Sequence, residues 1–345
     1  ILDIFFFFTI SMKIMKVVFQ KQGLIDNDYK NYFINNLPND IDVIFADSSN
    51  PDDICDIISD ADIFVGFSIT KKFISAANNL KLIQIPWTGI NRFPKEELPD
   101  KFNFLISNSH SNSLAVAEHT VALTLASSKL LIARHISMTN GNWTVRSNDD
   151  YSRWIHGSTI GIIGYGAIGK KVGQIFKYGF NCKILGIKRT ISSQSDEICD
   201  FIGDFTNLEQ ILGKSDYIIL CLPLTKETNN LIDEKEFSLM KPNCTIINIS
   251  RGEIINEKAL YENLSKNKIA GAGIDTWYNY PKKDNLHNNY QNYPFEKLDN
   301  IVMSPHVASK ISDRTNSSSQ DILDNILAIY NNEIPKNQVN IELGY

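Results

Sequence analysis

The segment from Thr159 to Phe176 reads TIGIIGYGAIGKKVGQIF and contains Gly164, Gly166 and Gly169 in GxGxxG spacing. An apolar run typical of a strand precedes these glycines, and a helix-forming stretch follows them. In such a turn the first glycine permits a tight bend, the second lets the backbone approach a pyrophosphate, and the third lets helix and strand pack closely. The segment therefore predicts a dinucleotide-binding site at a helix N-terminus, against the alternative of a tight turn without a ligand.

The next predicted strand ends in ILGIKRT, so Lys188, Arg189 and Thr190 stand where dinucleotide-binding domains usually carry an acidic residue. An acid at this position binds the hydroxyl groups of the adenosine ribose, whereas two cations and a hydroxyl suit a 2′-phosphate. We therefore expect a preference for NADP, with NAD as the alternative cofactor. A solvated basic turn is the other interpretation of these residues.

Apolar runs alternate with helix-like stretches on both sides of this turn. Strands of the series that begins with the turn are predicted at 159–163, 183–187, 217–220, 245–249, 271–274 and 301–303. An earlier series is predicted at 13–19, 43–46, 63–67 and 82–85. The pattern predicts a doubly wound parallel sheet in the middle of the chain and a second α/β unit before it, to which a final helix at 312–331 returns.

Length and composition narrow the class of protein. The 345 residues exceed what one core usually organises, and a net charge of -5 provides no basic face for nucleic acid. The first residues, ILDIFFFFTI, are too short for a membrane span and lack the basic start of a signal peptide, so we interpret 1–11 as an extension outside the fold. An odd number of cysteines without a CxxC pair indicates reduced thiols and a cytoplasmic protein: Cys55, Cys182, Cys199, Cys221 and Cys244.

Four polar segments follow strands of the second series: CLPLTKET at 221–228, INISRG at 247–252, AGAGIDTW at 270–277 and MSPHVAS at 303–309. Ligands of open α/β sheets bind beyond the carboxyl ends of the strands. Reduction of a 2-keto acid needs a cation that forks onto a carboxylate and a proton donor near neutral pH, and Arg251 and His306 have these properties. Further candidate contacts to the cofactor, here and after Gly166, are Ala167, Ile168, Cys221, Pro223, Thr228 and Ile249.

Taken in order, these motifs resemble the D-isomer-specific 2-hydroxyacid dehydrogenase family. The resemblance covers nearly everything from Met12 onward and includes VAEHT at 116–120, PLTKET at 223–228, SRG at 250–252, GAGID at 271–275 and SPH at 304–306. It implies a doubly wound Rossmann coenzyme domain inserted into a smaller flavodoxin-like α/β substrate domain. The corresponding ranges are 109–308 for the coenzyme domain, and 12–108 with 309–345 for the substrate domain.

The resemblance also implies roles for single residues. Arg251 would bind the substrate, His306 would act as general acid/base, and Asp275 would lie near the nicotinamide carboxamide. Capping of the turn after its strand is the alternative role for Asp275. Backbone N–H groups of a turn in the substrate domain would bind the substrate carboxylate from across an interdomain cleft: Trp87, Thr88 and Gly89.

One position departs from the family pattern. Members usually place a Glu before a Pro, 29 residues after the Arg, where it pairs with the catalytic His; here Tyr280 precedes Pro281. A phenol can orient an imidazole but supplies no charge to hold its proton, so we expect reduction at neutral pH to suffer. Our hypothesis is that Tyr280 orients His306 as part of the catalytic group. Asp284 and Glu296 are the alternative sources of a carboxylate.

The run VAEHTVALTLASSKLLIARHI at 116–136 contains no Gly or Pro and predicts one long helix, either in the core or at an interface. The resemblance implies a homodimer formed through the coenzyme domains. Five histidines have no metal-ligand spacing and are assigned structural or solvent-facing roles, so no metal is predicted: His110, His119, His135, His156 and His287.

The leading hypothesis is a D-2-hydroxyacid dehydrogenase, such as a glyoxylate or hydroxypyruvate reductase, whose partner is a small 2-keto or 2-hydroxy acid rather than nucleic acid or membrane. The rival is a dinucleotide-sensing binding protein, as in corepressors with this fold, with little or no turnover. Retention of both Arg251 and His306 favours the enzyme. Formate and phosphite donors belong to the same fold group and stay open, although formate-oxidising relatives carry Gln at the position of Tyr280.

Overall fold

The structure, a computed structural model, describes residues 14–21, 26–146, 151–191, 193–281, 290–311 and 319–344. The described residues form two compact units, one within Ile1–Ser111 and Asp313–Ile341, the other within Asn112–Ser312 and Glu342–Tyr345. The proposed extension at 1–11, the start of the predicted last helix and two candidate residues, Asp284 and His287, lie outside the described residues.

The first unit is built on a parallel five-stranded sheet. Its strands are β1 (Met15–Phe19), β2 (Ile41–Phe45), β3 (Ile63–Val65), β4 (Leu82–Gln84) and β5 (Leu105–Ser107). Their order in the sheet is β2-β1-β3-β4-β5, and every neighbouring pair is parallel. This is the flavodoxin-like order. The strand β5 was not predicted, because its sequence LIS contains only two apolar residues.

Four helices accompany this sheet: α1 (Asn27–Asn36), α2 (Cys55–Ile58), α3 (Lys71–Ala76) and a C-terminal helix (Gln320–Tyr330). The side chain of Asp26 caps α1 by accepting a hydrogen bond from the Tyr29 N–H. The C-terminal helix buries Ile322, Ile326 and Ile329 in the same apolar cluster as the β1 side chains. The end of the chain therefore returns to the first unit, as the spacing of apolar residues predicts.

The second unit contains seven strands: β6 (Thr159–Ile163), β7 (Lys183–Ile187), β8 (Phe201–Gly203), β9 (Tyr217–Leu220), β10 (Thr245–Asn248), β11 (Gly271–Ile274) and β12 (Ile301–Met303). They are parallel and ordered β12-β11-β10-β9-β6-β7-β8. The order reverses between β6 and β9, which is the point where a doubly wound sheet binds its ligand. The predicted fold class, a Rossmann domain inserted into a smaller flavodoxin-like domain, is confirmed.

The helices of the second unit are α4 (Ser113–Ser128), α5 (Leu131–Thr139), α6 (Ala167–Phe180), α7 (Leu208–Lys214), α8 (Glu234–Leu239) and α9 (Glu257–Ser265). Short 3₁₀ helices lie at Pro51–Ile54 and Lys95–Glu97 in the first unit, and at Thr144–Arg146, Phe205–Asn207, Gly252–Ile254 and Phe295–Lys297 in the second. Among the described residues, none of the individual helices has the length and apolar character to cross a membrane, and only the bent pair α4 and α5 passes that test together.

The prediction of one helix over 116–136 is wrong. The axes of α4 and α5 differ by 64°, and Leu130 between them has a left-handed backbone with φ of 53°. The carbonyl of Lys129 accepts a hydrogen bond from the Arg134 guanidinium at 3.1 Å, and the Lys129 Nζ donates to the carbonyl of Arg153 at 2.6 Å. Long basic side chains thus stabilise the break at Leu130, although no Gly or Pro is present there.

Candidate functional site

The three glycines of the turn after β6 have different surroundings. Gly164 has φ of +102°, and a Cβ there would lie 2.5 Å from the carbonyl oxygen of Cys221. A Cβ on Gly169 would lie 2.5 Å from the Gly164 oxygen, so both positions are closed by backbone. A Cβ on Gly166 would meet nothing within 4 Å. Packing therefore requires the outer two glycines, while Gly166 faces open space.

That open space lies at the N-terminus of α6. Gly166 is the N-cap of this helix, no side chain caps it, and its first turn contains no acidic residue. An anion placed there would meet backbone N–H groups and the positive end of the helix dipole. Ala167 is exposed and Ile168 is half-buried in this first turn. The residues present fit the pyrophosphate of a dinucleotide.

The basic turn after β7 contacts the loop after β9. The Lys188 N–H donates to the Gly203 carbonyl at 2.9 Å, which extends the β7 pairing. The Arg189 Nη2 lies 3.3 Å from Glu227 Oε2, and Thr225 Oγ1 donates to the same oxygen at 3.0 Å. Thr190 is exposed beside them. A 2′-phosphate bound at this turn would compete with Glu227 for the guanidinium.

The candidate cofactor-binding residues in the loop after β9 contribute mainly to the structure of that loop. Thr228 is buried, donates its hydroxyl to the Pro223 carbonyl at 2.7 Å and accepts from the Thr225 N–H at 2.7 Å. Burial raises the pKa of the Cys221 thiol to about 12, so this side chain is uncharged at neutral pH. Pro223 is exposed and offers apolar surface at the same edge of the sheet.

Arg251 follows β10 in a braced turn. The Asn248 side chain donates to the Arg251 carbonyl at 2.7 Å and accepts from the Ser250 N–H at 3.0 Å. The Ser250 hydroxyl donates to the Leu220 carbonyl at 2.6 Å, which ties this turn to β9. The side chain of Ile249 is buried. The Arg251 guanidinium is half-buried and donates to the Ser250 carbonyl at 2.6 Å.

Close backbone packing connects the Arg251 turn to the segment after β11. A Cβ on Gly252 would lie 2.5 Å from the carbonyl carbon of Trp277. The Trp277 indole N–H donates to the Ser304 carbonyl at 2.9 Å, on the loop after β12. The turns after β10, β11 and β12 therefore form one continuous surface at the carboxyl edge of the sheet.

His306 is exposed on the loop after β12, and its backbone is left-handed, with φ of 55°. The ring centroid of Tyr280 lies 5.3 Å from that of His306. The Tyr280 hydroxyl accepts a hydrogen bond from the Trp277 N–H at 3.3 Å. Of the alternative carboxylates, Glu296 accepts a hydrogen bond from the Gln291 amide at 2.7 Å. The structure thus brings Tyr280 beside His306.

Asp275 is fully buried directly after β11. Its carboxylate accepts hydrogen bonds from the N–H groups of Val307 at 3.0 Å and Ala308 at 3.1 Å, and a short one from the Ser304 hydroxyl. The His119 Nε2 lies 3.4 Å away. Burial alone would raise the pKa of Asp275, but hydrogen bonds from His119, Ser304 and the two N–H groups hold that pKa at about 2.

These contacts of Asp275 are with the loop of His306, after β12, and not with the turn after its own strand, so they differ from the capping role considered in the sequence analysis. The contact with the nicotinamide carboxamide stays a prediction. Ser304 and His119 were missed as functional residues by sequence reasoning. Ser304 belongs to the motif SPH and His119 to the motif VAEHT. Neither motif indicates that the Ser304 and His119 side chains contact each other.

In the first unit, the turn at Trp87, Thr88 and Gly89 is held by the loop after β5. The Thr88 hydroxyl donates to the Ser109 carbonyl at 2.8 Å, and the Asn108 amide donates to the Thr88 carbonyl at 2.7 Å. The Trp87 side chain is 38% exposed, and its ring centroid lies 4.9 Å from that of Phe67. The turn is therefore well defined and carries an aromatic surface.

Within the described part of the chain, no group of three or more His, Cys, Asp or Glu side chains has the arrangement of a metal site. All five cysteines are described, and none forms a disulfide.

Comparisons with known proteins agree with this arrangement. The family described as “D-isomer specific 2-hydroxyacid dehydrogenase, NAD binding domain” matches residues 121–308. Glyoxylate reductase of Pyrococcus furiosus is 31% identical over 280 residues, which are 80% of each chain. An acyclic imino acid reductase solved with NADPH and D-Arg is 27% identical with a TM-score of 0.74, covering 94% of this chain and 100% of that one. D-lactate dehydrogenase with NAD+ from Lactobacillus jensenii is 25% identical with a TM-score of 0.74 and the same coverage.

Proposed function

The chain belongs to the D-isomer-specific 2-hydroxyacid dehydrogenases, NAD(P)-dependent oxidoreductases that act on CH–OH donors, and from this premise we propose that it reduces small 2-keto acids such as glyoxylate and hydroxypyruvate. One observation carries the proposal: Arg251 and His306 follow β10 and β12 at the same edge of the sheet as the glycine turn after β6. The similarity to a glyoxylate reductase supports the choice of small substrates.

In the proposed reaction, Arg251 forks onto the substrate carboxylate and stabilises negative charge as it develops on the keto oxygen. His306 in its protonated form gives a proton to that oxygen. A bound nicotinamide cofactor supplies the hydride to the keto carbon. Tyr280 orients the imidazole through its ring, and backbone N–H groups at Trp87, Thr88 and Gly89 also bind the carboxylate.

We propose that NADP is preferred over NAD. Support comes from Lys188, Arg189 and Thr190, which supply two cations and a hydroxyl where an acidic residue would bind an unphosphorylated ribose. Relatives have been solved with either cofactor, so the preference depends on this turn. The pyrophosphate contacts we propose are Gly164, Gly166, Ala167, Ile168 and Gly169, with Cys221, Pro223, Thr228 and Ile249 lining the nicotinamide end. For Asp275 we propose a position near the nicotinamide carboxamide, in addition to the hydrogen bonds that it accepts from the His306 loop.

We also propose a homodimer formed through the second unit. The helix α5 contains no buried residue, and Leu131, Ile132 and Ile136 are 57%, 44% and 53% exposed. An apolar face of this kind is typical of a subunit interface. A cytoplasmic location is supported by the five cysteines, which are all present as thiols.

The test is a panel of glyoxylate, hydroxypyruvate, pyruvate and longer 2-keto acids, each assayed with NADPH and NADH. We expect turnover of at least one small 2-keto acid, with a higher kcat/KM for NADPH. An Arg251→Ala variant should lose about 100-fold or more in kcat/KM while its Kd for NADPH stays within twofold. Tight NADPH binding without turnover of any acid would instead support a dinucleotide-sensing protein.

A further inference from the structure

We propose that Ser304 and His119 are positioning residues that, through Asp275, hold the loop of His306 in its active conformation. The inference rests on the proposed role of His306 as proton donor. Ser304 is held by its backbone as well as by its hydroxyl: its N–H donates to the Ile274 carbonyl at 2.8 Å, and its carbonyl accepts from the Trp277 indole at 2.9 Å. Ser304 is therefore a fixed anchor two residues before His306.

The hydrogen bonds in this network have a defined direction. The Asp275 carboxylate is ionised at neutral pH, so it can only accept. The Ser304 hydroxyl must give its proton to Asp275, and its oxygen then accepts from His119, whose Nε2 lies 2.9 Å away. His119 is consequently held as the Nε2–H tautomer. His119 therefore connects α4 to the carboxylate behind the His306 loop in two ways, through the Ser304 hydroxyl at 2.9 Å and by its own 3.4 Å contact with Asp275.

The same carboxylate holds the other side of the loop. His306 has φ of 55°, a left-handed conformation that a residue with a Cβ rarely adopts and that persists only where its surroundings hold it. The N–H groups of Val307 and Ala308 both donate to Asp275. Ser304 before His306 and these two N–H groups after it thus converge on one buried anion, which sets the direction of the imidazole.

Removing the Ser304 hydroxyl takes away one donor of Asp275 and the acceptor of His119. We expect the loop to sample more conformations, so that His306 less often reaches the keto oxygen. A positioning defect of this kind lowers kcat because proton transfer is sensitive to misplacement by about 1 Å. Cofactor affinity should stay unchanged, since the glycine turn after β6 contributes nothing to the network.

The kinetic test compares four single variants and one double variant of the enzyme. Ser304→Ala should lower kcat 10- to 100-fold with the Kd of NADPH unchanged, whereas Ser304→Thr, which keeps the hydroxyl, should stay within threefold of the wild type. His119→Phe should lower kcat similarly, and His119→Gln, which keeps an N–H donor, should restore most of it. The double variant Ser304→Ala/His119→Phe should be no worse than either single variant, as expected for residues that act in one network.

The control is Ser215→Ala. Ser215 is buried, whereas Ser304 is half-buried, and the Ser215 hydroxyl donates to the Ile211 carbonyl of α7 at 2.7 Å, outside the network. This variant should lower Tm but leave kcat unchanged. If Ser304→Ala turns over at the wild-type rate, or if Ser304→Thr is as slow as Ser304→Ala, the inference is wrong. If Ser304→Ala fails to fold, the two His119 variants test the inference instead. A wild-type kcat in His119→Phe, or a kcat in His119→Gln as low as in His119→Phe, would show that it is wrong.

A second measurement does not depend on activity. Nitrogen-15 NMR of the wild-type histidine side chains should show His119 as the Nε2–H tautomer, and Ser304→Ala should change the His306 ring signals. The Nδ1–H tautomer at His119 would overturn the network even in an active enzyme. A wild type that reduces no 2-keto acid but shows the predicted tautomer would instead contradict the proposed function alone.

Discussion

The ring of Tyr280 lies against the ring of His306, with centroids 5.3 Å apart and an interplanar angle of 52°. The family pattern that the sequence resembles implies a Glu where this chain has Tyr280, so the imidazole here has an aromatic neighbour instead of the expected carboxylate. The Tyr280 hydroxyl accepts a hydrogen bond from the Trp277 N–H, which keeps the phenol in this position. The contact suggests that orientation has been kept while the charge has been lost.

Tyr280→Glu should extend reductive activity to higher pH. A carboxylate beside an imidazole favours its protonated form, so the proton donor would stay charged to a higher pH, by about one unit. The measurement is kcat/KM for the best 2-keto acid between pH 5 and 10. Tyr280→Phe, which keeps the ring, should leave the profile in place, and an unmoved profile in Tyr280→Glu would show that this side chain does not reach His306.

The two glycines at the start of the turn should respond differently to alanine. Gly166→Ala adds a methyl group to open space, so the protein should fold with nearly unchanged Tm but bind NADPH at least 10-fold more weakly. Gly164→Ala places a Cβ against the Cys221 backbone at a φ of +102° and should lower Tm by several degrees. Cofactor titration and thermal unfolding separate the two. If Gly166→Ala binds NADPH as tightly as the wild type, the pyrophosphate does not bind at this turn.

Arg189→Ala should lower the ratio of kcat/KM for NADPH over NADH by about 10-fold or more, because a charge-assisted contact to a phosphate is lost. Glu227→Gln should raise NADPH affinity about twofold to fivefold, because the exposed Arg189–Glu227 pair is weak but competes with the phosphate. Glu209→Gln, which removes a similar exposed pair with Lys235, is the control. Equal effects of both Gln variants would indicate a general charge effect.

Asp275 should make stability depend on pH in the acid range. Its pKa in the folded protein is about 2, below the ordinary value of 3.8 for an Asp side chain. A lowered pKa stabilises the fold above the unfolded value and loses that contribution, about 2 kcal/mol, as the pH falls from about 4 to about 2. Urea unfolding of Asp275→Asn and wild type should therefore differ at pH 7 and converge near pH 2. A difference independent of pH would contradict the assignment.

The exposed face of α5 predicts the oligomeric state. Ile132→Asp with Ile136→Asp should convert a dimer into a 39.1 kDa monomer, because two charges would be buried without partners in the interface. Sedimentation at micromolar concentration measures this directly. Lys258→Asp, on the exposed surface of α9, is the control and should stay dimeric. If the wild type sediments as a monomer, the proposal of a homodimer is wrong.

Local sequence was sufficient for the glycine turn and for the five strands at 159–163, 183–187, 217–220, 271–274 and 301–303, whose predicted bounds agree with the structure. A buried parallel strand reads as an unbroken apolar run, so its position is visible without tertiary information. Two strands were missed, β5 and β8, because their sequences, LIS and FIG, each contain only two apolar residues and do not form an apolar run within the strand. The break at Leu130 was missed because the side chains that stabilise it, Lys129 and Arg134, are ordinary helix residues and the segment contains no Gly or Pro.

By itself, the sequence determined the fold class, the cofactor turn and the residue types for chemistry, since each of these depends on neighbours in the chain. Only the tertiary structure decided what Asp275 binds, and that His119 contacts Ser304 from 185 positions away. Those contacts arise where β11 and β12 end at one edge of the sheet and the helix α4 packs against these strands. Their partners are therefore chosen by the order of the strands and by the need to satisfy a buried charge.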